Sequence, residues 1–425
     1  MIKDFLFMRK LICFLFLFCV IQLHVLSQNV KNEVVNTLSN SAGTSMAYKF
    51  EFKEYTPPPE GFAPFYINHL GRHGSRNHTS ENLFPGLAEI FKQASEHDIL
   101  TAKGKEVKYK IDKINNYMEK RYGDLSLIGQ QEQREIAERM INNYPEIFLN
   151  NDCKIDAKST LVPRCILSMS FFSLKLKEHN PLVDISMESS DFNNAYLNYY
   201  NKEYREYYEN GSWRELLNDF QNDALSPDRF IASLFKTDTL FKDSDKMSFM
   251  KNLWSANAIM KASGINHSFY DIFTEDEIFA LWQVQNLNQY LRKGPSGIND
   301  NIAIIIAKPM LKNFIETSVN AIENRNLSAN LRFAHGESII PFTALIGIKD
   351  ASKIESNPSE VYLAWNDYKV SPMSANIQWV FYENSQSEIL IKVLHNEHEV
   401  SIPVETSIYP YYKWEDVLDY YSSLF

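Results

Sequence analysis

The sequence predicts an α/β protein whose central, mostly parallel sheet is covered by helices and interrupted by an inserted α-helical cap domain. Apolar runs at 65–70 and 331–334 predict two strands, and each is followed at once by histidine and charged side chains. Residues 191–299 are instead rich in aromatic residues at helical spacing and poor in strand patterns. We therefore expect an α/β core formed by residues 28–190 and 300–425, with the cap at 191–299.

Composition is ordinary for a globular protein, with 44% hydrophobic and 23% charged residues in a chain of 425. Such a chain can bury a sizeable core. The net charge of −10 argues against a general nucleic-acid partner, although an acidic protein can still carry a local basic cleft for an anionic ligand. We expect a monomer that binds a small anionic molecule and has no stable membrane partner.

The N-terminus predicts a signal peptide at residues 1–27, and hence an exported protein that is periplasmic or secreted. Lys3, Arg9 and Lys10 supply positive charge before the apolar stretch that extends to Leu26. That stretch is shorter than the roughly 20 residues that span a bilayer, so cleavage is favoured over an uncleaved anchor. The polar residues 28–53 that follow predict a loosely held leader.

The first candidate site follows the strand predicted at 65–70. Arg72 and Arg76 flank His73 where a strand ends, which is where open α/β sheets bind ligands. Guanidinium groups match the oxygens of a phosphate and stay charged, while an imidazole between them can attack phosphorus. Gly74 allows the backbone to approach a ligand closely. This pattern predicts a site for phosphoryl chemistry.

The second candidate group follows the strand predicted at 331–334. A phosphoryl transfer needs a proton donor for the leaving oxygen, and Glu337 is placed for that role if His335 faces the same pocket. A donor must be protonated, which indicates an acidic to neutral optimum. Arg164 follows another strand and opens a helix, so its side chain is expected to face the strand ends.

The remaining elements follow from periodicity, apolar runs and turn residues. Ser159 and Thr160 are predicted to cap the helix that carries Arg164. Helices are expected at 82–94, 107–117, 130–144, 301–322, 339–348 and 413–425, and strands at 154–157, 183–187, 376–382 and 388–394.

These motifs resemble those of the histidine phosphatase superfamily, in the branch of acid phosphatases, phytases and multiple inositol-polyphosphate phosphatases. The matching segments are Arg72-His-Gly-Ser-Arg76, the stretch from Ser159 to Met169 that includes Arg164, and His335-Gly-Glu337. The resemblance implies that His73 is a nucleophile that forms a phosphohistidine. It also implies that Arg72, Arg76, Arg164 and His335 hold the phosphoryl oxygens, and that Glu337 protonates the leaving group and then activates water.

The same resemblance implies a phosphoglycerate-mutase-like three-layer core with an inserted helical cap, and no metal or other cofactor. Members of the inositol-polyphosphate branch carry His-Ala-Glu where this chain has His335-Gly-Glu337. The expected substrate is therefore a phosphorylated small molecule, with phytate or another inositol polyphosphate first and a broad range of phosphate monoesters as the alternative.

Other interpretations stay open at this stage. His395 and His398 resemble a metal-ligand pair, but their position between two strand patterns favours an exposed hairpin turn. A non-catalytic phospho-ligand binder would use the same arginines, although an intact His73 and Glu337 argue against it. A mutase is a further alternative. Cys153 and Cys165 either pair or stay as buried thiols.

Overall fold

The computed structural model describes residues 26–197, 201–299 and 301–425. The predicted signal peptide lies outside these residues, except that Leu26 and Ser27 belong to a helical stretch at 26–36. Within the described ranges, no helix is long and apolar enough to cross a membrane.

The strands of the described residues form one eight-stranded sheet. Along the sheet the order is β3-β2-β4-β1-β5-β6-β7, with β8 paired to β6. Neighbours among β3, β2, β4 and β1 are parallel, whereas β5 to β8 add antiparallel pairs at the other side. The strands are β1 (Ala63–Arg72), β2 (Lys154–Ser159), β3 (Asp184–Ser189), β4 (Ala329–Ala334), β5 (Asn376–Glu383), β6 (Ile389–His395), β7 (His398–Glu399) and β8 (Tyr411–Lys413).

The register of the parallel strands brings the two candidate motifs to one edge of the sheet. Arg72 at the end of β1 pairs with Ala334 at the end of β4, so His73 and His335 leave neighbouring strands at the same level. On the other side of β4, Ser159 at the end of β2 pairs with Phe333. Three strand ends therefore meet where the candidate residues lie.

Helices cover both faces of the sheet, which gives three layers. One face packs Leu70 and Trp379 against the helices Ile302–Asn324, Gly336–Leu345 and Trp414–Ser422. The opposite face packs Ile67 and Leu331 against the helices Leu127–Asn143 and Pro163–His179. The predicted α/β class with a central, mostly parallel sheet is confirmed.

A second hydrophobic core lies among helices alone. Residues of the helices Leu83–Glu96 and Ala102–Met118 pack in it with Phe230, Phe249 and Leu281, so the helical part of the molecule draws on both sides of the predicted boundary at 191. The other helices of the described residues, beyond those already named, are Pro145–Phe148, Asp191–Leu197, Lys202–Asn210, Trp213–Ala224, Asp228–Leu234, Asp243–Ile259, Glu275–Lys293, Val361–Ala364 and Asp367–Val370, with 3-10 turns at Asn40–Ser45, Tyr270–Ile272 and Gly297–Asn299.

The prediction of a loosely held leader at 28–53 was wrong for residues 28–48, whereas residues 51–53 are irregular and exposed. Asn40–Ser45 forms a 3-10 turn with three buried residues. Within it, the Thr44 N–H donates to the buried carboxylate of Asp367 at 3.1 Å. Polar composition misled the prediction because these polar groups bond to distant parts of the chain rather than to water.

Two local predictions also need correction. Ser159 and Thr160 do not cap the helix that carries Arg164, which begins at Pro163 without a side-chain cap. Proline suits that first position because it has no N–H to satisfy. His395 to His398 does form a hairpin turn, but the turn is not exposed: Glu397 is 2% exposed and bonded to Arg139.

The buried N-terminal turn gives a test of this packing. Gly43 has φ +55°, and an added Cβ would lie 2.1 Å from Nε2 of Gln285. We expect Gly43→Ala to lower the free energy of unfolding by about 2–4 kcal/mol, because backbone strain and a steric clash add. Urea denaturation measures the loss.

Gly61→Ala is the matched control, since Gly61 also has positive φ (+85°) but no atom within 4 Å of the added Cβ. It should cost only about 1 kcal/mol, the price of the backbone conformation. Equal losses in the two variants would contradict a tightly packed N-terminal turn.

Candidate active site

His73 lies directly beyond β1, between two backbone contacts that fix its orientation. Its N–H donates to the carbonyl of Ala334 on β4 at 3.0 Å. Its ring Nδ1 lies 2.9 Å from the carbonyl oxygen of Gly74. Because a carbonyl only accepts, Nδ1 carries the proton in this contact and Nε2 keeps its lone pair. Nε2 is thus the ring nitrogen that could act as a nucleophile.

The surroundings also keep this imidazole neutral. His73 is 2% exposed, and burial lowers its pKa well below the ordinary value, with Arg72, Arg164, His335 and Arg76 lowering it further. Neutral imidazole is the form that can attack phosphorus. The residues predicted to bind phosphate are therefore close enough to His73 to lower its pKa.

The three arginines present donors that the protein does not satisfy. Nη1 of Arg72 donates to the carbonyls of Thr44 at 2.6 Å and Ser371 at 2.8 Å, and Nη1 of Arg76 donates to that of Asn77. Yet the buried Nε groups of Arg72, Arg76 and Arg164 have no acceptor among the described residues. Such a donor set suits an anion that carries several oxygens.

Burial weakens the basicity of these groups without removing their charge. It lowers the pKa of Arg72 to about 10 and that of Arg76 to about 9. Both guanidinium groups therefore stay cationic at neutral and acid pH. Gly336 leaves space for Arg72, because an added Cβ would lie 3.2 Å from its Cζ.

His335 lies beside His73, with 5.6 Å between the ring centroids. Oγ1 of Thr160 lies 3.2 Å from its Nε2, and Sγ of Cys165 lies 3.7 Å from the same nitrogen. Burial lowers the pKa of His335 to about 4, while the carboxylate of Glu337 opposes that shift. The imidazole is thus a neutral group close to His73.

Glu337 stands in the first turn of the helix Gly336–Leu345 and is bonded to Lys293, whose Nζ lies 3.0 Å from Oε1. Burial alone raises the pKa of Glu337, but Lys293, His335 and Arg72 outweigh it and hold that pKa well below its usual range. Glu337 is therefore ionised in the free protein, whereas the proton-donor role requires its acid form.

A buried carboxylate behind the loop holds the first motif in place. Glu132 accepts four hydrogen bonds, from the N–H of Tyr48, the N–H and hydroxyl of Ser75 and the hydroxyl of Ser374. Burial raises the pKa of Glu132, and these hydrogen bonds oppose that rise.

The helix that carries Glu132 also touches the loop backbone. An added Cβ on Gly74 would lie 2.4 Å from the carbonyl oxygen of Gly129, and one on Gly129 would lie 2.1 Å from that of Ser75. Two glycines thus allow contact between main chains.

The structure brings together all six residues that the sequence singled out, which are Arg72, His73, Arg76, Arg164, His335 and Glu337. Their roles remain predictions. In the described part of the chain, no group of three or more His, Cys, Asp and Glu residues could hold a metal ion. His395 instead lies 2.8 Å, through Nε2, from the carbonyl oxygen of Val370. Cys153 and Cys165 are buried and free.

The supporting residues were not predicted from the sequence. Glu132 and Lys293 lie within helical patterns that resemble ordinary solvated faces, and neither carries a local signal. Gly129 did carry one, since a glycine inside a helix often marks a close approach of two backbones. Thr160 was predicted to be a helix cap, but its hydroxyl contacts His335 instead.

Replacing Glu132 tests the support of the loop. Glu132→Gln places an NH₂ group where a carboxylate oxygen accepts hydrogen bonds, leaving buried donors unpaired. We expect the free energy of unfolding to fall by about 2–3 kcal/mol, measured by urea denaturation.

Glu178→Gln is the control, because Glu178 is 49% exposed and pairs with Arg134 at the surface. Its stability should stay close to that of the wild type, because an exposed ion pair contributes little. If Glu132→Gln were no more destabilising than this surface change, the anchoring role of Glu132 would be wrong.

Comparisons with solved structures show the same fold. The multiple inositol polyphosphate phosphatase of Bifidobacterium longum, in complex with inositol hexasulfate, superposes with a TM-score of 0.76 at 18% identity, covering 88% of this chain and 96% of that one. The phytase of D. castellii gives 0.68 at 17% identity, with 91% and 84% covered.

Sequence comparison adds a curated relative and a family. A multiple inositol polyphosphate phosphatase 1 of Dictyostelium discoideum is 35% identical over 85 residues, which is 19% of this chain and 13% of that protein. Residues 66–396, most of the chain, match the pattern of the histidine phosphatase superfamily, branch 2. The chain therefore belongs to the histidine phosphatase superfamily, in its branch 2.

Proposed function

We propose that the protein is a phosphomonoesterase that hydrolyses inositol polyphosphates, phytate among them, through a phosphohistidine on His73. The observation that carries this proposal is the orientation of His73, whose Nδ1 is bonded to the carbonyl of Gly74 while Nε2 keeps its lone pair. Around it, three arginines supply positive charge to the oxygens of a transferring phosphoryl group.

The proposed reaction has two steps. Nε2 of His73 forms a bond to phosphorus as the bond to the ester oxygen breaks, and Glu337 in its acid form gives its proton to that oxygen. A water then attacks the phosphohistidine, its proton goes to the Glu337 carboxylate, and phosphate leaves as the N–P bond breaks. Protons balance over the cycle, and both side chains return to their starting states.

The ionised state of Glu337 in the free protein is compatible with this cycle. Lys293, His335 and Arg72 are the positive or polar neighbours that favour the carboxylate. A bound phosphate ester brings negative charge into the same site, which offsets those cations and raises the pKa of Glu337. Substrate binding thus promotes protonation of the donor.

The substrate class rests on the comparisons. The relatives with similar sequence or fold are named as inositol polyphosphate phosphatases and a phytase, and one of those structures holds inositol hexasulfate. Inositol polyphosphates are therefore proposed ahead of a broad range of phosphate monoesters.

We also propose that the protein is exported as a monomer after removal of residues 1–27, as the charged and apolar N-terminal pattern indicates. Mass spectrometry of the protein recovered outside the cytoplasm tests the cleavage, and light scattering tests the state of association. An intact N-terminus on that protein would contradict cleavage.

Phosphate release tests the proposed activity. The purified protein should release inorganic phosphate from phytate faster than from p-nitrophenyl phosphate, with the same rates in the presence of a chelator. His73→Ala should lower release by at least about 10³-fold, because the nucleophile is lost. Binding of phytate without release from either ester would instead identify a non-catalytic binder.

Glu337→Gln tests the donor by leaving-group dependence. With phytate, the variant should be slower by about 10²–10⁴-fold, because the alkoxide leaves without a proton. With p-nitrophenyl phosphate the leaving group needs no proton, so the first turnover should appear as a rapid burst of p-nitrophenol before slow hydrolysis of the phosphohistidine. Equal slowing of the burst and of phytate turnover would exclude Glu337 as the acid.

A further inference from the structure

Lys293 is a buried cation with a specific carboxylate partner. It ends the helix Glu275–Lys293 and is only 3% exposed. Nζ donates to Oε1 of Gln289 one turn earlier and to Oε1 of Glu337, both at 3.0 Å. A buried ammonium is costly unless it is paired, so this arrangement is a built contact rather than a surface ion pair.

Lys293 supplies a direct hydrogen bond to the Glu337 carboxylate. No other hydrogen bond to the Glu337 carboxylate is found among the residues that the structure describes. Other charged or titratable groups interact with Glu337 and Lys293 electrostatically, without a hydrogen bond. Those that interact with Glu337 are His335, Arg72, Arg76, Cys165 and Tyr204, and Arg292 acts on Lys293.

Arg292 does not replace Lys293 in this contact. Its guanidinium carbon lies 4.5 Å from the ring centre of Tyr208 and 5.4 Å from that of Trp213. These aromatic faces hold the charge of Arg292 in place beside the helix end. Lys293 is therefore the cation that contacts the proposed proton donor directly.

We propose that Lys293 is a positioning residue for the proposed hydrolysis: its contact with Glu337 fixes the carboxylate and sets the pH range over which Glu337 donates a proton. This inference rests on the proposed function, because it concerns the donor of that same reaction. Lys293 belongs to the helical region and thus lies outside the three sequence motifs that supply the other site residues.

The direction of the effect follows from charge. Burial lowers the pKa of Lys293 to about 8, so its ammonium is charged throughout the acid range. That charge lowers the pKa of Glu337. Since donation requires the acid form, activity falls as the pH rises through the pKa of Glu337. Removing the ammonium raises that pKa and moves the fall in activity to higher pH.

Kinetics of Lys293→Met against Lys293→Arg test the proposal. The profile of kcat/KM against pH reports the groups of the free enzyme. In Lys293→Met, the midpoint of the fall in kcat/KM with rising pH should move up by about one pH unit, as expected for the loss of one close opposite charge. Lys293→Arg keeps the charge and should retain the wild-type midpoint.

Lys312→Met is the matched control for loss of a lysine charge, because Lys312 is 67% exposed and pairs with Glu316 on the surface. Its profile should equal that of the wild type. An unshifted profile in Lys293→Met, or the same shift in Lys293→Arg, would overturn the proposal. Lys293→Gln serves in place of Lys293→Met if the latter does not fold.

A second measurement does not need turnover. Infrared spectra record the protonated carboxyl band, and subtraction of the matching Glu337→Gln spectrum isolates Glu337. Its protonation midpoint should lie at higher pH in Lys293→Met than in the wild type. If the wild type hydrolysed neither ester, the proposed function would fail while this titration would still decide the role of Lys293. Identical midpoints would overturn that role.

Discussion

The guanidinium groups of Arg72, Arg76 and Arg164 act on one another and on His73 in a site that is mostly buried. Like charges held this close repel, and burial adds to the cost of each. The protein offsets these costs with carbonyl acceptors and with carboxylates set behind the cations. These groups come from the N-terminal segment, from the segment around Ser371 and from the helix that carries Glu132.

Two carboxylates illustrate this arrangement. Glu132 and Asp367 both interact favourably with the charge of Arg72, although neither is within ion-pair distance in the described contacts. Glu132 binds the loop through Ser75, and Asp367 binds Thr44, whose carbonyl in turn accepts from Arg72. Neither carboxylate bonds to Arg72 directly, and Nε of Arg72 has no acceptor among the described residues, so it remains available to a ligand.

The local sequence was sufficient to predict the residues that are placed to contact a ligand. The apolar runs before His73 and His335 predict strands, and parallel neighbours expose their carboxyl ends at one edge. Charged residues at such an edge have few structural uses. The fold class could be predicted for the same reason, since two of its strands have an apolar sequence and end at charged residues and histidine.

The supporting residues could not be predicted in this way. Glu132 contacts Ser75 across 57 positions, and Lys293 contacts Glu337 across 44, so only the tertiary fold brings them together. A glutamate or lysine in a helix is usually solvated, and its burial depends on which helices pack beside it. The prediction for the N-terminal segment was wrong for a related reason. A polar sequence does not reveal whether its groups bond to water or to distant parts of the chain.

The bond between Thr44 and Asp367 joins groups 323 positions apart. Thr44 also accepts from Arg72, so the arrangement around Arg72 is complete only when the N-terminal segment has met residues from the last quarter of the chain. Residue 367 is synthesised long after residue 44, so this contact has to wait for a late part of the chain. The positively charged site around Arg72 therefore cannot be completed until most of the polypeptide has been synthesised.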